Sequence, residues 1–252
     1  VDAAQQKEIS WRVAIGDNAT RCSGKHKQHK KKAGASGNLR IHHNEMPPKV
    51  LLSDDTGSLA VVALDACNDP DALFDLIEKT VKFNNIFVNT PGGRRLAPRR
   101  VASYATDASV ASYAYSGQRT TTITPIPPAL LEYATAAAAQ LGEPTPNYLL
   151  VQEYGLDSCI SPHADDEPSI VPNSDIISIS VGHERDFVFH PKAGGREVAR
   201  IRLRHGSVVA MRGACQRKFR HSIPRPNKRN PCPPTMVAGK LKTIRYNLTF
   251  RH

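Results

Sequence analysis

The sequence predicts an α+β domain that is mainly β: a sheet-on-sheet sandwich or jelly roll with two helices laid over one outer face. From Asn147 onward, short runs rich in β-branched and aromatic residues follow one another: NYLLVQEY, DIISISVG, RDFVFHP, VARIRLR, SVVAMRG and TIRYNLTFR. Several alternate polar with apolar residues, and Gly, Pro or Asn interrupts the series. Two stretches of helical character precede them, and no internal repeat is visible.

The elements follow in chain order. Residues 1–49 read as a disordered, basic N-terminal extension, because RCSGKHKQHKKKAGASG from Arg21 to Gly37 offers almost nothing apolar to bury. A nucleic-acid-binding arm and a solvated linker both fit that composition. A single folded domain is expected over 50–252, beginning near Val50. The run LAVVALDA, Leu59 to Ala66, reads as a buried strand. Asp69 then caps a helix whose first turn holds Pro70 and whose apolar stripe is Leu73, Phe74, Ile77 and Val81. A second helix runs from about Pro127 to Leu141, rich in alanine and ended by Gly142.

Composition limits the partners. The 252 residues carry a formal charge of +11, and a cationic surface attracts polyanions and releases counterions from a phosphate backbone. Nucleic acid is therefore the expected partner, against the plainer reading of a protein that is merely basic. The five cysteines, Cys22, Cys67, Cys159, Cys215 and Cys232, are widely spaced and include no Cys-x-x-Cys pair. That suggests neither a zinc ribbon nor a disulfide framework and suits a reducing intracellular setting, cytoplasmic or nuclear. No run approaches the ~20 apolar residues of a membrane span, and the N-terminus lacks the apolar core of a signal peptide. A soluble monomer is expected. The chain opens on Val1 rather than methionine, which points to a piece of a longer chain, a viral polyprotein in a host cell being one source.

Two motifs carry chemistry. In SPHADDEP, His163 and Asp165 stand two apart and so project from one side of an extended chain. Two imidazoles and one carboxylate on one face of octahedral iron(II) leave three positions for a co-substrate and dioxygen. A second, distant histidine is then needed, and His183, His190, His205, His221 and His252 are all candidates. At the C-terminus, RYNLTFR puts Arg245, Asn247, Thr249 and Arg251 on one face of a strand, with Tyr246, Leu248 and Phe250 on the other. Two arginines pointing inward require a buried anion, and their planar forks suit the two carboxylates of a dicarboxylic acid. A solvated edge strand is the alternative.

In order, H-x-D at His163 and Asp165, a later histidine, and R-x-N-x-T-x-R from Arg245 to Arg251 resemble the AlkB family of iron(II)- and 2-oxoglutarate-dependent dioxygenases. HADDEPS, DIISISVG and HGSVVAMRGACQRKFRHSIPR extend the resemblance, which spans about Pro98 to Arg251. It implies a double-stranded β-helix (jelly-roll) core with supporting N-terminal helices. It also implies iron(II) held by His163, Asp165 and His221, with His205 in a structural His-Gly turn. The co-substrate 2-oxoglutarate would meet Arg245, Asn247, Arg251 and Tyr154, with Arg245 at the distal carboxylate and Arg251 at the metal-side end. Gln152 stands where the family usually has asparagine, keeping the amide with one more methylene.

The implied reaction is removal of N-alkyl groups, such as those of 1-methyladenine and 3-methylcytosine, from single-stranded RNA or DNA, releasing succinate, CO2 and formaldehyde. PRRVASYATDASVASYAYSGQ resembles the family's nucleotide-recognition region. Tyr104, Tyr113 and Tyr115 would stack on the base, a place in the core being the alternative for any one of them, and Glu167 would meet its polar edge, with Ser103 in place of the usual tryptophan. Phosphates would be held by some of Arg94, Arg95, Arg99, Arg100, Lys218 and Arg220, and the insertion RPNKRNPCPP would form a basic surface loop. Two other readings remain at this point: a non-catalytic nucleic-acid-binding protein, and a dioxygenase acting on protein or a small molecule. Nucleic-acid binding that is indifferent to EDTA, without 2-oxoglutarate turnover, would mark the first.

Overall fold

A computed structural model describes residues 49–53, 60–64, 67–90, 92–106, 114–115, 118–119, 124–168, 170–228 and 231–252. The expected basic extension, Lys49 apart, lies outside the described residues.

Strands β1 (Lys49–Ser53) and β2 (Ala60–Leu64) precede helix α1 (Pro70–Thr80). After it come β3 (Asn84–Thr90), β4 (Gly93–Ala105), the short β5 (Ala114–Tyr115) and β6 (Gln118–Arg119), and helix α2 (Pro128–Leu141). The C-terminal half supplies β7 (Tyr148–Tyr154), β8 (Ile160–His163), β9 (Ile176–Gly182), β10 (Arg185–Pro191), β11 (Ala199–Leu203) and β12 (Ser207–Met211). The one-turn helix α3 (Cys215–Lys218) leads into β13 (Phe219–Ile223), and β14 (Thr235–Val237), β15 (Lys240–Lys242) and β16 (Arg245–Arg251) follow.

Two antiparallel sheets face each other as a jelly roll. The larger has eight strands in the order β1-β2-β12-β9-β16-β7-β4-β3, and the smaller four in the order β11-β10-β13-β8. Alternation of side chains divides β7, β9 and β12 between two cores. Leu149 and Val151 of β7, Ile177, Ile179 and Val181 of β9, and Tyr246, Leu248 and Phe250 of β16 join the helix-side core. The opposite face looks into the roll, where Tyr154, Ile176, Val209 and Met211 pack with Phe187, Phe189 and Phe219 of the small sheet.

The helices form as their sequence requires. The Asp69 carboxylate accepts the N–H of Ala72 at 3.0 Å, satisfying one donor of the first turn of α1. Leu73, Phe74 and Ile77 are fully buried against the sheet, each worth about 1.5–3 kcal/mol of transfer free energy. Helix α2 starts one residue later than Pro127, which caps it without a side-chain bond, and Gly142 ends it at φ 72°. Gly182 closes β9 at φ +87°, where a Cβ would lie 2.3 Å from Ile244 O and 2.6 Å from Phe74 Cε2. Only glycine fits under α1 there.

The sequence reading passed over the polar hairpin of β3 and β4, because Asn, Arg, Gly and Pro mask its alternation. It pairs Asn84 with Val101 and Phe87 with Leu96 at the edge of the large sheet. It also passed over β8 and β13, the two short strands that bring the candidate metal ligands together.

Candidate metal centre and co-substrate pocket

Strands β8 and β13 pair antiparallel with His163 opposite His221. The two imidazole centroids are 4.3 Å apart, and Asp165 follows β8 by two residues. Ligand atoms of His163, Asp165 and His221 all lie within 4.8 Å of one another, the only such group of three among the described residues. Asp165 Oδ1 is 3.6 Å from His163 Nε2, and Asp165 Oδ2 is 3.8 Å from His221 Nε2.

Neighbours orient each ligand. His163 Nδ1 lies 3.0 Å from Ser161 O. A carbonyl only accepts, so Nδ1 carries the proton and Nε2 presents its lone pair to the centre. The Asp165 N–H donates to Gln216 Oε1 at 3.0 Å, tying the ligand loop to α3. His221 is flanked by Phe187, 5.2 Å between centroids, and by Phe189, 6.4 Å. Burial pushes His163 down to about 4, and burial together with His163 holds His221 well below its usual range, so both rings are neutral ligands at pH 7. Burial, with the charges of Glu167 and Asp166, pushes the Asp165 carboxyl well up. Arg251 Nη2, 2.9 Å from Asp165 Oδ2, and any cation among the three ligand atoms favour the carboxylate.

The other wall is the inner face of β7 and β16. Strand β16 runs between β9 and β7 and is buried throughout, so its polar face looks inward and the solvated-edge alternative fails. Gln152, Tyr154, Asn247 and Arg251 line one pocket with His163, Asp165 and His221. Tyr154 donates its hydroxyl to Gln152 Oε1 at 3.1 Å. Asn247 Nδ2 donates to Ser178 Oγ at 2.7 Å and Ile179 O at 3.0 Å, so its amide braces β9. Arg245 Nη2 donates to Ser180 Oγ at 2.8 Å, and its guanidinium carbon lies 5.2 Å from the Tyr154 ring. Burial lowers Arg245 to about 10, and its Nε and Nη1 have no partner among the described residues. Buried donors without acceptors are costly, and a carboxylate satisfies them. Two histidines, one carboxylate and a buried, half-satisfied arginine thus suit iron(II) with a dicarboxylate beside it.

The remaining candidates separate. His183 bonds Cys232 O through Nε2 at 2.7 Å, and His190 lies 3.5 Å from Ser222 Oγ on the outer side of the small sheet. His205 Nδ1 accepts from Gly182 N at 2.8 Å and its Nε2 faces Asp71 Oδ1 at 3.1 Å, a structural bond. His252 follows the last strand. Glu167 is half-buried beside Asp165.

Tyr104 is a correction. It belongs to the helix-side core with Ala102, because β4 presents Tyr104 on the face opposite to Arg99 and Val101, and it cannot stack on a base in the pocket. Tyr113 lies outside the described residues, as does the side chain of Tyr115. Of the basic residues, Arg100 is engaged by both oxygens of Glu153 at 2.7 Å, whereas Arg94 stacks 4.6 Å from the ring of exposed Phe87. The insertion packs through Cys232 on His183 and Arg202 rather than standing wholly clear. Sequence reasoning missed Arg185, Ser178, Ser180 and Gln216. For Arg185 the signal was present, since its spacing of two from Phe187 and Phe189 directs it inward.

Comparison with known proteins agrees with this geometry. The model of the 2OG-Fe(II) oxygenase superfamily matches residues 68–251, reaching further upstream than the resemblance read from Pro98. The chain is 32% identical to the DNA oxidative demethylase ALKBH2 of Mus musculus over 196 residues, covering 73% of this chain and 74% of that protein. It is 32% identical to the Homo sapiens protein of the same name over 197 residues, covering 73% and 68%. The solved structure of OsALKBH1 superposes with a TM-score of 0.56 at 17% identity, over 76% of this chain and 96% of that one, which shows a shared fold.

Proposed function

The chain belongs to the 2OG-Fe(II) oxygenase superfamily as an AlkB-like dioxygenase using iron(II) and 2-oxoglutarate, and from that premise we propose that it removes N-alkyl groups from nucleic-acid bases. The proposed substrates include 1-methyladenine and 3-methylcytosine in single-stranded RNA or DNA. The supporting observation is the convergence of His163, Asp165 and His221 in one pocket with Arg251 and Asn247.

When bound, iron(II) and 2-oxoglutarate with dioxygen supply hydroxylation of the N-alkyl carbon, yielding succinate, CO2 and a hydroxymethyl group that leaves as formaldehyde. The protein's part is binding and orientation. His163, Asp165 and His221 hold the metal, the two imidazoles arriving already neutral. Arg245 meets the distal carboxylate of the co-substrate, and Arg251 stands at the metal-side end. Tyr154 and Gln152 shape the wall between them, and Asn247 holds β16 to β9.

We place substrate recognition on the β3–β4 hairpin, at the edge of the large sheet. The β3–β4 hairpin presents Phe87 at 43% exposure across from Leu96 at 55%, with Arg94 stacked on the phenyl ring. An apolar pair edged by guanidinium suits unstacked bases and phosphates. Tyr113, Tyr115 and half-buried Glu167 complete the proposed base pocket. We assign the catalytic domain to residues 50–252 and a basic, nucleic-acid-attracting extension to 1–49. We take the chain to be a monomer, and its four described cysteines are free, which suits a reducing intracellular setting. Among the described residues, no helix is long and apolar enough to cross a membrane.

The test is anaerobic loading with iron(II) and 2-oxoglutarate, then air, with RNA and DNA oligonucleotides carrying either methylated base. The expected result is succinate and loss of one CH2 from the oligonucleotide, both abolished in His163→Ala and Asp165→Ala. Succinate with the oligonucleotide unchanged would move the substrate elsewhere.

A further inference from the structure

Arg185 opens β10 on the same face as Phe187 and Phe189, and its side chain is fully buried. No carboxylate pairs with it among the described residues. Its Nη2 donates to Ser158 O at 2.6 Å and Pro224 O at 2.8 Å, and Nη1 to Gly155 O at 3.3 Å. Carbonyl dipoles solvate a cation without cancelling its charge. They also fix its place, since Gly155 and Ser158 lie between β7 and β8, while Pro224 follows β13.

Arg245 reaches the same interior from the opposite sheet, 1% exposed, with two guanidinium nitrogens lacking acceptors among the described residues. Arg245 stands opposite Tyr154 in the register of β16 on β7, its guanidinium carbon 5.2 Å from the Tyr154 ring, and Arg185 donates to the carbonyl of the next residue, Gly155. The Arg185 charge adds to burial in lowering Arg245. Two like charges without an acid in one low-dielectric space oppose folding. A carboxylate bound at Arg245 relieves both at once.

We infer that Arg185 is a specificity-determining residue for the co-substrate: its braced charge, acting behind Arg245, makes the pocket prefer a 2-oxo acid with a second carboxylate over one that lacks it. This rests on the chain binding 2-oxoglutarate. Arg185 is placed to act through space, so its charge matters and its fork serves to hold it.

The test uses the full chain loaded with iron(II) under anaerobic conditions, with affinities for 2-oxoglutarate and 2-oxopentanoate measured by calorimetry. Wild type, Arg185→Lys, Arg185→Met and Arg185→Gln are compared; the glutamine variant keeps donors for the carbonyls if the methionine variant does not fold. In the neutral variants the preference for 2-oxoglutarate should fall by about tenfold, and Arg185→Lys should stay within about threefold of wild type. Equal weakening of both acids in the neutral variants, or loss of preference in the lysine variant as well, would show a brace alone and overturn the inference. Failure of wild type to bind 2-oxoglutarate would instead overturn the co-substrate reading.

Discussion

Arg251 Nη2 lies 2.9 Å from Asp165 Oδ2, with both side chains only 3% exposed. The last residue of β16 thereby neutralises the carboxylate that stands between the two imidazoles. Asp165→Asn keeps the shape but takes the negative charge away from both the metal ligands and Arg251. Iron(II) affinity should drop by at least about 100-fold, and the free energy of unfolding measured in urea should fall by about 3–5 kcal/mol, because a buried guanidinium loses its counter-ion. Iron binding at wild-type strength in this variant would remove Asp165 from the metal centre.

The β3–β4 hairpin predicts a separation of binding from metal chemistry. Phe87→Ala should weaken a single-stranded oligonucleotide by about 1–3 kcal/mol if the ring stacks on a base. Arg94→Ala should reduce the salt slope of binding by about 0.7 if it meets one phosphate. Fluorescence anisotropy at several salt concentrations reads both. Iron(II) affinity should be unchanged in either variant.

Gly182 ties three elements, through its positive φ, its contact with Phe74 and its N–H to His205 Nδ1 at 2.8 Å. Gly182→Ala should cost about 2–4 kcal/mol by combining left-handed strain with overpacking. Thermal unfolding checks this, and a Tm within a degree of wild type would mean that α1 moves freely to make room.

Asp175 gives a pH dependence away from the metal. Burial raises its carboxyl to about 6 although Arg212 Nε is 2.5 Å away. The folded state then holds this proton more tightly than the unfolded chain, so the group stabilises at low pH and loses that contribution as pH rises from about 4 to about 6. Relative to wild type, Asp175→Asn should gain stability across that window and run parallel above it. A difference constant from pH 4 to 7 would show that Arg212 keeps Asp175 ionised.

Much of the site was legible because its rules are local. His163 and Asp165 share a side through a spacing of two, and Arg245, Asn247, Thr249 and Arg251 share a strand face by the same period. The cap at Asp69 and the stop at Gly142 were equally local, each set by one residue's hydrogen bonding or backbone freedom. Tyr104 was misplaced because nothing along the polar, proline-containing β4 shows which set of alternating residues faces the helices.

The sequence by itself determined the donor types, their spacing and the alternation that makes one face of β16 polar. Only the tertiary structure decided which histidine joins His163 and Asp165 in the candidate centre, because the register of β13 on β8 sets His221 opposite His163. The resemblance pointed to His221, but the spacing of five histidines along the chain did not distinguish it. The same holds for Arg185 facing the interior that Arg245 enters: burial and charge cancellation are properties of two sheets meeting, and strand periodicity carries no information about what lies across the roll.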